Sequence, residues 1–405
     1  MILLGDYAPD CHTVCAPSFD STVLINLEGP ILLQDTPKKP APKAGPHLSA
    51  TQLPTFSGNT LFALANNHLM DYGAAGLEAT LLAIGAAGHQ SCGAGHNLEA
   101  ARQARIIEEN NVTIGVIACC EAQFGLATAS SAGVAEFGPW LFPAIQRLRA
   151  SVDVLIVSVH ASVETSPWPF PYIRELYRSM IDCGVAIVHG HHAHVPQGFE
   201  RHGDGIIFYG LGNFAVPPAP WRAMRNTLWS LGVVLDFHKH RLFDWHWVTF
   251  EIDQPSLEAP ISVGRSSRAR HAEHVKYIEN CNRPFEDQTL FEAVWQEIAL
   301  RAYREYGAKY IGFYRTVPDF VKRKIRHDLQ ALRKLGVPPP LRSSRQSDHL
   351  LWHHMFACES HRQMMATALG LIAGNILDVR TAEAKVLVDH MAPHTKKYYR
   401  ENLDF

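Results

Sequence analysis

Before residue 200, nearly every strand-like run of this 405-residue chain ends in Asp, Glu, Asn or His. Met1–Gly5 is followed by Asp6, Thr22–Asn26 by Leu27-Glu28, and Thr60–Ala65 by Asn66-Asn67-His68. Val112–Cys119 and Asp153–Val159 are β-branched runs suited to buried strands, the second closing on His160. Val185–Val188 leads into His189-Gly190-His191-His192-Ala193-His194. Segments of helical composition lie between the runs, at Tyr72–Ala87 and Pro169–Cys183. Strands that alternate with helices imply a parallel sheet. In such sheets, ligands bind beyond the carboxyl ends of the strands. Five separate segments therefore deliver metal-type ligands to one edge.

Beyond residue 200 the pattern changes twice. Gly205–Leu211, Thr227–Phe237 and Arg241–Ile252 alternate aromatic with polar residues, as antiparallel strands do. From about residue 262 helices take over, at Ala272–Cys281, Gln288–Tyr306, Pro318–Leu335 and Gln346–Ala373. Asn282-Arg283-Pro284 and the Gly336–Pro340 run read as the breaks between them. These shifts predict an α/β domain over 1–262 and a helical domain or extension over 263–405. Two segments carry open readings. The Pro/Lys-rich stretch 33–53 is either a cap over a substrate or a plain surface loop. Arg301–Arg345, with twelve basic and three acidic residues, either faces an anionic partner or is a solvated helix face.

Composition narrows the function. A net charge of −2 excludes the basic excess of a dedicated nucleic-acid binder. Val152–Val159 and Met364–Ala373, the longest apolar runs, fall short of the roughly 18 residues that a membrane span needs. Eight scattered cysteines and an opening MILLGDYAPD without a signal-peptide pattern predict reduced thiols and a cytoplasmic location.

The candidate ligands, in chain order, are Asp6; Asn26 and Glu28; Asn67, His68 and Asp71; His160 and Glu164; His192 and His194. Carboxylate, amide and imidazole without thiolate suit one or two divalent transition-metal ions: Mn, Fe or Zn. Asp71 is placed either to cap the helix near Tyr72 or to bond His68. His191 and Asn213 read as supporting residues, as do Asn26 and Glu164. Neither a Gly-x-Ser-x-Gly elbow nor a phosphate-binding P-loop occurs.

Over roughly residues 1–250 these motifs resemble the CapA family, named for poly-γ-glutamate capsule biosynthesis and related to calcineurin-like metallophosphoesterases. The resemblance rests on Gly5-Asp6, Asn26-Leu27-Glu28 and Asn66-Asn67-His68-x-x-Asp71-x-Gly73-x-x-Gly76. It continues through His160 with Glu164, Gly190-His191-His192-Ala193-His194-Val195-Pro196-Gln197-Gly198-x-Glu200 and Leu211-Gly212-Asn213-Phe214. It implies a four-layer α/β/β/α sandwich of metallophosphoesterase type with a C-terminal helical extension. It further implies that Asp6 and His194 serve one metal, that Asn67, His160 and His192 serve another, and that Glu28 bridges. His68 would then give a proton to the leaving oxygen, with Asp71 beside it in the catalytic group.

Two positions depart from the metallophosphoesterase pattern. Ala8 stands where a histidine is usual, and Glu28 where the bridging residue is usually aspartate, so His12 enters as an alternative ligand. The function expected is a metal-dependent hydrolase of a phosphoester or related anionic group in bacterial surface-polymer biosynthesis. Its substrate would be an anionic small molecule or polymer, and the polymer-synthesis machinery its partner. The alternatives are a non-catalytic assembly protein of that machinery, or a metal enzyme acting on an amide or glycosyl bond.

Overall fold

Aliphatic runs without a polar face become strands covered on both sides, because only burial of both faces tolerates them. The computed structural model describes residues 1–37, 39–43, 45–304 and 346–392. The chain opens with β1 (Ile2–Tyr7), β2 (Val14–Cys15), β3 (Val23–Leu27), β4 (Thr60–Ala63), α1 (Gly73–Ala86) and β5 (Gln90–Cys92). Next come β6 (Ala94–Gly95), α2 (Leu98–Ala101), β7 (Arg105–Glu109), β8 (Val112–Cys120) and β9 (Gly133–Val134). They are followed by α3 (Leu141–Arg149), β10 (Val154–His160), α4 (Pro171–Asp182), β11 (Ile187–His191), β12 (Phe199–His202), β13 (Gly205–Phe208) and β14 (Asn213–Ala215). After α5 (Pro218–Trp221) run β15 (Trp229–His238), β16 (Arg241–Asp253) and β17 (Ile261–Arg265). The remaining helices are α6 (Arg268–Glu286), α7 (Gln288–Ala302), α8 (Gln346–Ala357), α9 (Glu359–Ala373) and α10 (Ala382–Met391).

Two sheets result. The first has the order β2-β17-β16-β15-β1-β3-β4-β5, with β14 also paired to β1. Its β1, β3, β4 and β5 are parallel, and β15, β16 and β17 add an antiparallel half. The second sheet has the order β12-β13-β11-β10-β8-β7, parallel except at its two edge pairs.

Alternation along the second sheet sets the layers. Val112, Ile114, Val116 and Ala118 of β8 join a core shared with Leu4, Leu24 and Phe62 of the first sheet, to which α1 adds Leu77 and Ile84. Ile117 and Cys119 of the same strand face a different core, built with Ile145 of α3, Tyr177 of α4 and Phe291 of α7. The fold is thus an α/β/β/α sandwich. Cys119 and Cys120 adjoin in sequence yet lie in separate cores, as the period-two pleat requires.

The C-terminal helices extend the outer core rather than building one apart. Val294 and Ile298 of α7, Met364 of α9 and Leu387 of α10 belong to the same cluster as β8, β10 and α4. Strand β17 also runs across residue 262, where the composition shifts. Buried Arg174 of α4 ties the parts together. Its guanidinium donates to Glu200 on β12 at 3.2 and 3.1 Å, to Gln288 at 2.8 Å and to the Phe285 carbonyl at 2.7 Å. It also lies over the Phe291 ring, 4.6 Å from the centroid.

Two local expectations are corrected. Pro284 does not end a helix, since α6 runs on to Glu286 with the proline in its last turns. The break falls at Asp287, whose side chain accepts from Thr289 N at 2.9 Å and so starts α7. Gln346–Ala373 is two helices, parted by extended backbone at Cys358. The basic stretch is described only to Arg304, so its reading and the helix expected at 318–335 lie outside the described residues. Among the described residues, no helix is long and apolar enough to cross a membrane.

Burial alone would raise the Glu200 carboxyl, but hydrogen bonds from Arg174, Arg178 and Tyr209 outweigh it and hold it below the usual range. Replacing Arg174 by Leu leaves this buried carboxylate short of donors, so unfolding free energy falls by about 3–5 kcal/mol in urea titrations. Because the folded value is the lower one, the stabilisation from Glu200 is complete above the ordinary value of 4.5 and is lost as pH falls through the folded value. The stability gap between wild type and Glu200→Gln is therefore constant above 4.5 and narrows as pH falls below it.

Candidate metal centre

The carboxyl ends of both parallel arrays meet along one seam. Gly5 allows it: a Cβ there would stand 1.9 Å from the Gly212 carbonyl oxygen. Without one, β1 draws close enough for Asp6 N to donate to that same oxygen at 3.0 Å. The Asp6 carboxylate is thereby buried at the seam, where Asn26 donates to Oδ1 at 2.9 Å and His191 Nδ1 lies 2.8 Å from it. His191 belongs to the second sheet, so this contact joins the two. His189 lies 3.0 Å from the Leu4 carbonyl, a structural position.

Asn66 shapes the next element. Its Oδ1 accepts from His68 N at 3.1 Å and Leu69 N at 2.8 Å, and its amide donates to the Leu27 carbonyl at 2.8 Å. That turn presents Asn67, whose Oδ1 is 3.0 Å from His160 Nε2, while Asn26 Nδ2 is 3.3 Å from His160 Nδ1. His192 and His194 take left-handed backbone, with φ of 85° and 57°, a conformation strained for non-glycine residues. Asn213 Oδ1 lies 2.9 Å from His194 Nδ1, leaving Nε2 at 3.6 Å from Glu28 Oε1.

Glu28, His192 and His194 offer ligand atoms within 4.8 Å of one another. Glu28 is 0% exposed, and neither of its carboxylate oxygens has a hydrogen-bond partner, nor does His192 Nδ1. Buried polar atoms are seldom left so. Their chemistry fits a bound cation, to which His160, 3.5 Å from Glu28 Oε1, is adjacent. Burial pushes Glu28 up to about 8, and it pushes His192 down to about 3 and His160 well below its ordinary value. Neutral imidazole is the form that ligates metal. Burial acts on His194 too, but Glu28, Asp6 and Glu164 outweigh it and raise its value. Burial opposes ionisation of Asp6, yet His191 and His194 hold its carboxyl low.

Of the residues named from sequence, Asp6, Asn26, Glu28, Asn67, His160, His191, His192, His194 and Asn213 are brought together. Glu164 acts on Glu28 and His192 through its charge. His12 does not join them, its Nδ1 being 3.1 Å from Gln254. Asp71 does not cap α1, whose preceding residue Tyr72 makes no side-chain cap bond. Its Oδ2 instead lies 2.8 Å from His68 Nδ1 and accepts from Leu48 N at 2.6 Å.

Three residues escaped the sequence reading. Lys43 reaches in from the Pro/Lys-rich stretch, buried, to 2.9 Å from His68 Nδ1 and into an ion pair with Asp71. Burial and this ammonium push His68 down to about 4. Glu121, just past β8, is also 0% exposed, with Oε1 3.6 Å from His192 Nε2. Gln123 places its amide 2.9 Å from the same nitrogen. Glu121 alone had a signal, since it too is an acidic residue ending a strand-like run.

Residues 16–217 match a family model described as bacterial capsule synthesis protein PGA_cap. The chain belongs to this family. Within it, the chain is 32% identical over 200 residues to a capsule biosynthesis protein CapA of Bacillus anthracis, covering 47% of this chain and 49% of that protein. It is 33% identical over 175 residues to a probable polyglutamine synthesis accessory protein of Mycobacterium tuberculosis, covering 37% and 43%. The chain thus spans about half the length of the curated relatives it matches, or less. A crystal structure titled as a novel phosphatase from Mycoplasma pneumoniae is similar at 13% identity and a TM-score of 0.33, over 67% of this chain and 95% of that one. The family match takes in Glu28, Asn67, His160, His192 and His194 but stops short of the C-terminal helices.

Gly5→Ala tests the seam. The added methyl meets backbone that cannot swing aside, so unfolding free energy should fall by about 1–3 kcal/mol in chemical denaturation. Wild-type stability in this variant would refute the close approach of β1 to Gly212.

Proposed function

We propose that this PGA_cap protein is a metal-dependent hydrolase of a phosphoester or related anionic group, working in bacterial surface-polymer biosynthesis. The observation that carries the reading is the Glu28, His192 and His194 group, with its buried and unpartnered ligand atoms. Glu28, His192 and His194 would hold the ion, and Asp6, Asn67 and His160 lie where they could complete one site or form a second. When bound, a divalent ion of this class, Mn, Fe or Zn, supplies Lewis acidity and a water of lowered pKa.

The chain's own residues supply the rest. The protonated His68 donates from Nδ1 to Asp71, which orients the ring and leaves Nε2 to pass a proton to a leaving oxygen. An anionic substrate beside the ring favours its protonated form. Burial lowers the pKa of the Lys43 ammonium, so what Lys43 brings beside the ring is a donor group that suits an anionic substrate. A second reading, a metal-bound assembly protein without turnover, draws on the accessory role in the Mycobacterium relative's name and on Ala8, where a ligand histidine is usual in metallophosphoesterases.

Calorimetric titration with Mn(II) and assay on aryl phosphoesters separate these readings. The hydrolase reading expects binding that His192→Ala and Glu28→Gln abolish, and turnover that His68→Asn lowers by about 10²–10⁴-fold. A protein that binds Mn(II) but leaves every phosphoester intact supports the assembly role, or action on another bond if polymer fragments are cleaved. A wild-type chain that binds no divalent metal refutes the proposal.

A further inference from the structure

The C-terminal helices lie outside the family match, yet one of them reaches the metal centre through a single buried side chain. Glu121 Oε2 accepts from Ser360 N at 2.7 Å, in the first turn of α9, and the Cys358 thiol lies 3.6 Å from the same oxygen. Its other oxygen accepts from Ser162 N at 3.3 Å and faces His192 Nε2 at 3.6 Å. The Gln123 amide nitrogen stands 2.9 Å from that Nε2, and its Oε1 has no partner. Of these two groups the Glu121 carboxyl can accept a proton from Nε2, and the Gln123 amide does so once it is turned end for end, which also gives its orphaned Oε1 a partner. Nδ1, buried and unpartnered, is left as the ligand nitrogen. A histidine ligand is held in one tautomer by an acceptor on its other nitrogen, and loss of that acceptor commonly costs about 10–100-fold in metal affinity.

We infer that Glu121 and Gln123 are positioning residues for His192, and that α9 holds Glu121 in place through the Ser360 N–H. The helical segment is then part of the metal centre, although it contributes no ligand. This inference rests on the metal-binding reading of His192.

Two variants test it by different routes. Ser360→Pro deletes the N–H in a helical first turn, where proline is tolerated, and Glu121→Gln removes the carboxylate with little change of shape. Arg362→Ala, on an exposed side chain of the same turn, is the control. Circular dichroism verifies that each full-length variant is folded, and calorimetry with Mn(II) alone reads affinity. The expected result is binding about 10–100-fold weaker in both test variants and unchanged in the control. Wild-type affinity in folded Ser360→Pro and Glu121→Gln overturns the inference while leaving the proposed function intact. A wild-type chain that binds no Mn(II) overturns the metal reading itself. The ring ¹⁵N shifts of His192 in metal-free protein then decide the positioning role. An Nε2–H tautomer in wild type that becomes mixed in Glu121→Gln upholds it, and the same tautomer in both overturns it.

Discussion

The contact between Asp6 and His191 is where two sheets become one site. The two parallel arrays already share an apolar core, in which Ile114 and Val116 of one meet Leu4 and Phe62 of the other. What brings their carboxyl ends into register is a buried carboxylate on β1 set 2.8 Å from an imidazole on β11, with Asn26 donating to the same oxygen. A buried carboxylate without such partners would cost several kcal/mol. The packing that satisfies Asp6 therefore also fixes where Glu28, His160, His192 and His194 can stand. The left-handed backbone at His192 and His194 is tolerated because this surrounding lattice over-determines it.

The outer layers serve the seam indirectly. Arg174 spends its donors on β12, α6 and α7 together, so the helices beyond residue 262 are anchored by the same side chain that secures an edge strand of the second sheet. Glu121 performs the corresponding task nearer the candidate metal centre, where it engages α9 and the loop after β10. Both are buried polar groups whose partners come from distant parts of the chain, and each ties helices beyond residue 262 to the sandwich.

Much of this was legible in the residues. Strand ends at Asp6, Asn26, His160 and His191 announced themselves because aliphatic periodicity stops on a polar group there. Lys43 was not legible. A lysine in a run of prolines and lysines has the composition of a solvated loop, and only the fold of the rim carries its ammonium inward to Asp71. Asp71 misled for a related reason. Its place before a helix suits an N-cap, but His68, Lys43 and Leu48 N compete for the same carboxylate and win. Pro284 misled because a proline costs a helix little near its end, where few hydrogen bonds remain to lose.

By itself the sequence determined the α/β alternation, the polar strand ends and the family motifs, since hydrophobic period and residue chemistry are local properties of the chain. Tertiary structure alone decided which groups face each nitrogen of His192, that Lys43 reaches His68 and Asp71, and that α9 touches Glu121. Those depend on contacts between residues up to 239 positions apart, and no local pattern encodes them. They are set by the burial of polar groups from distant parts of the chain against one another.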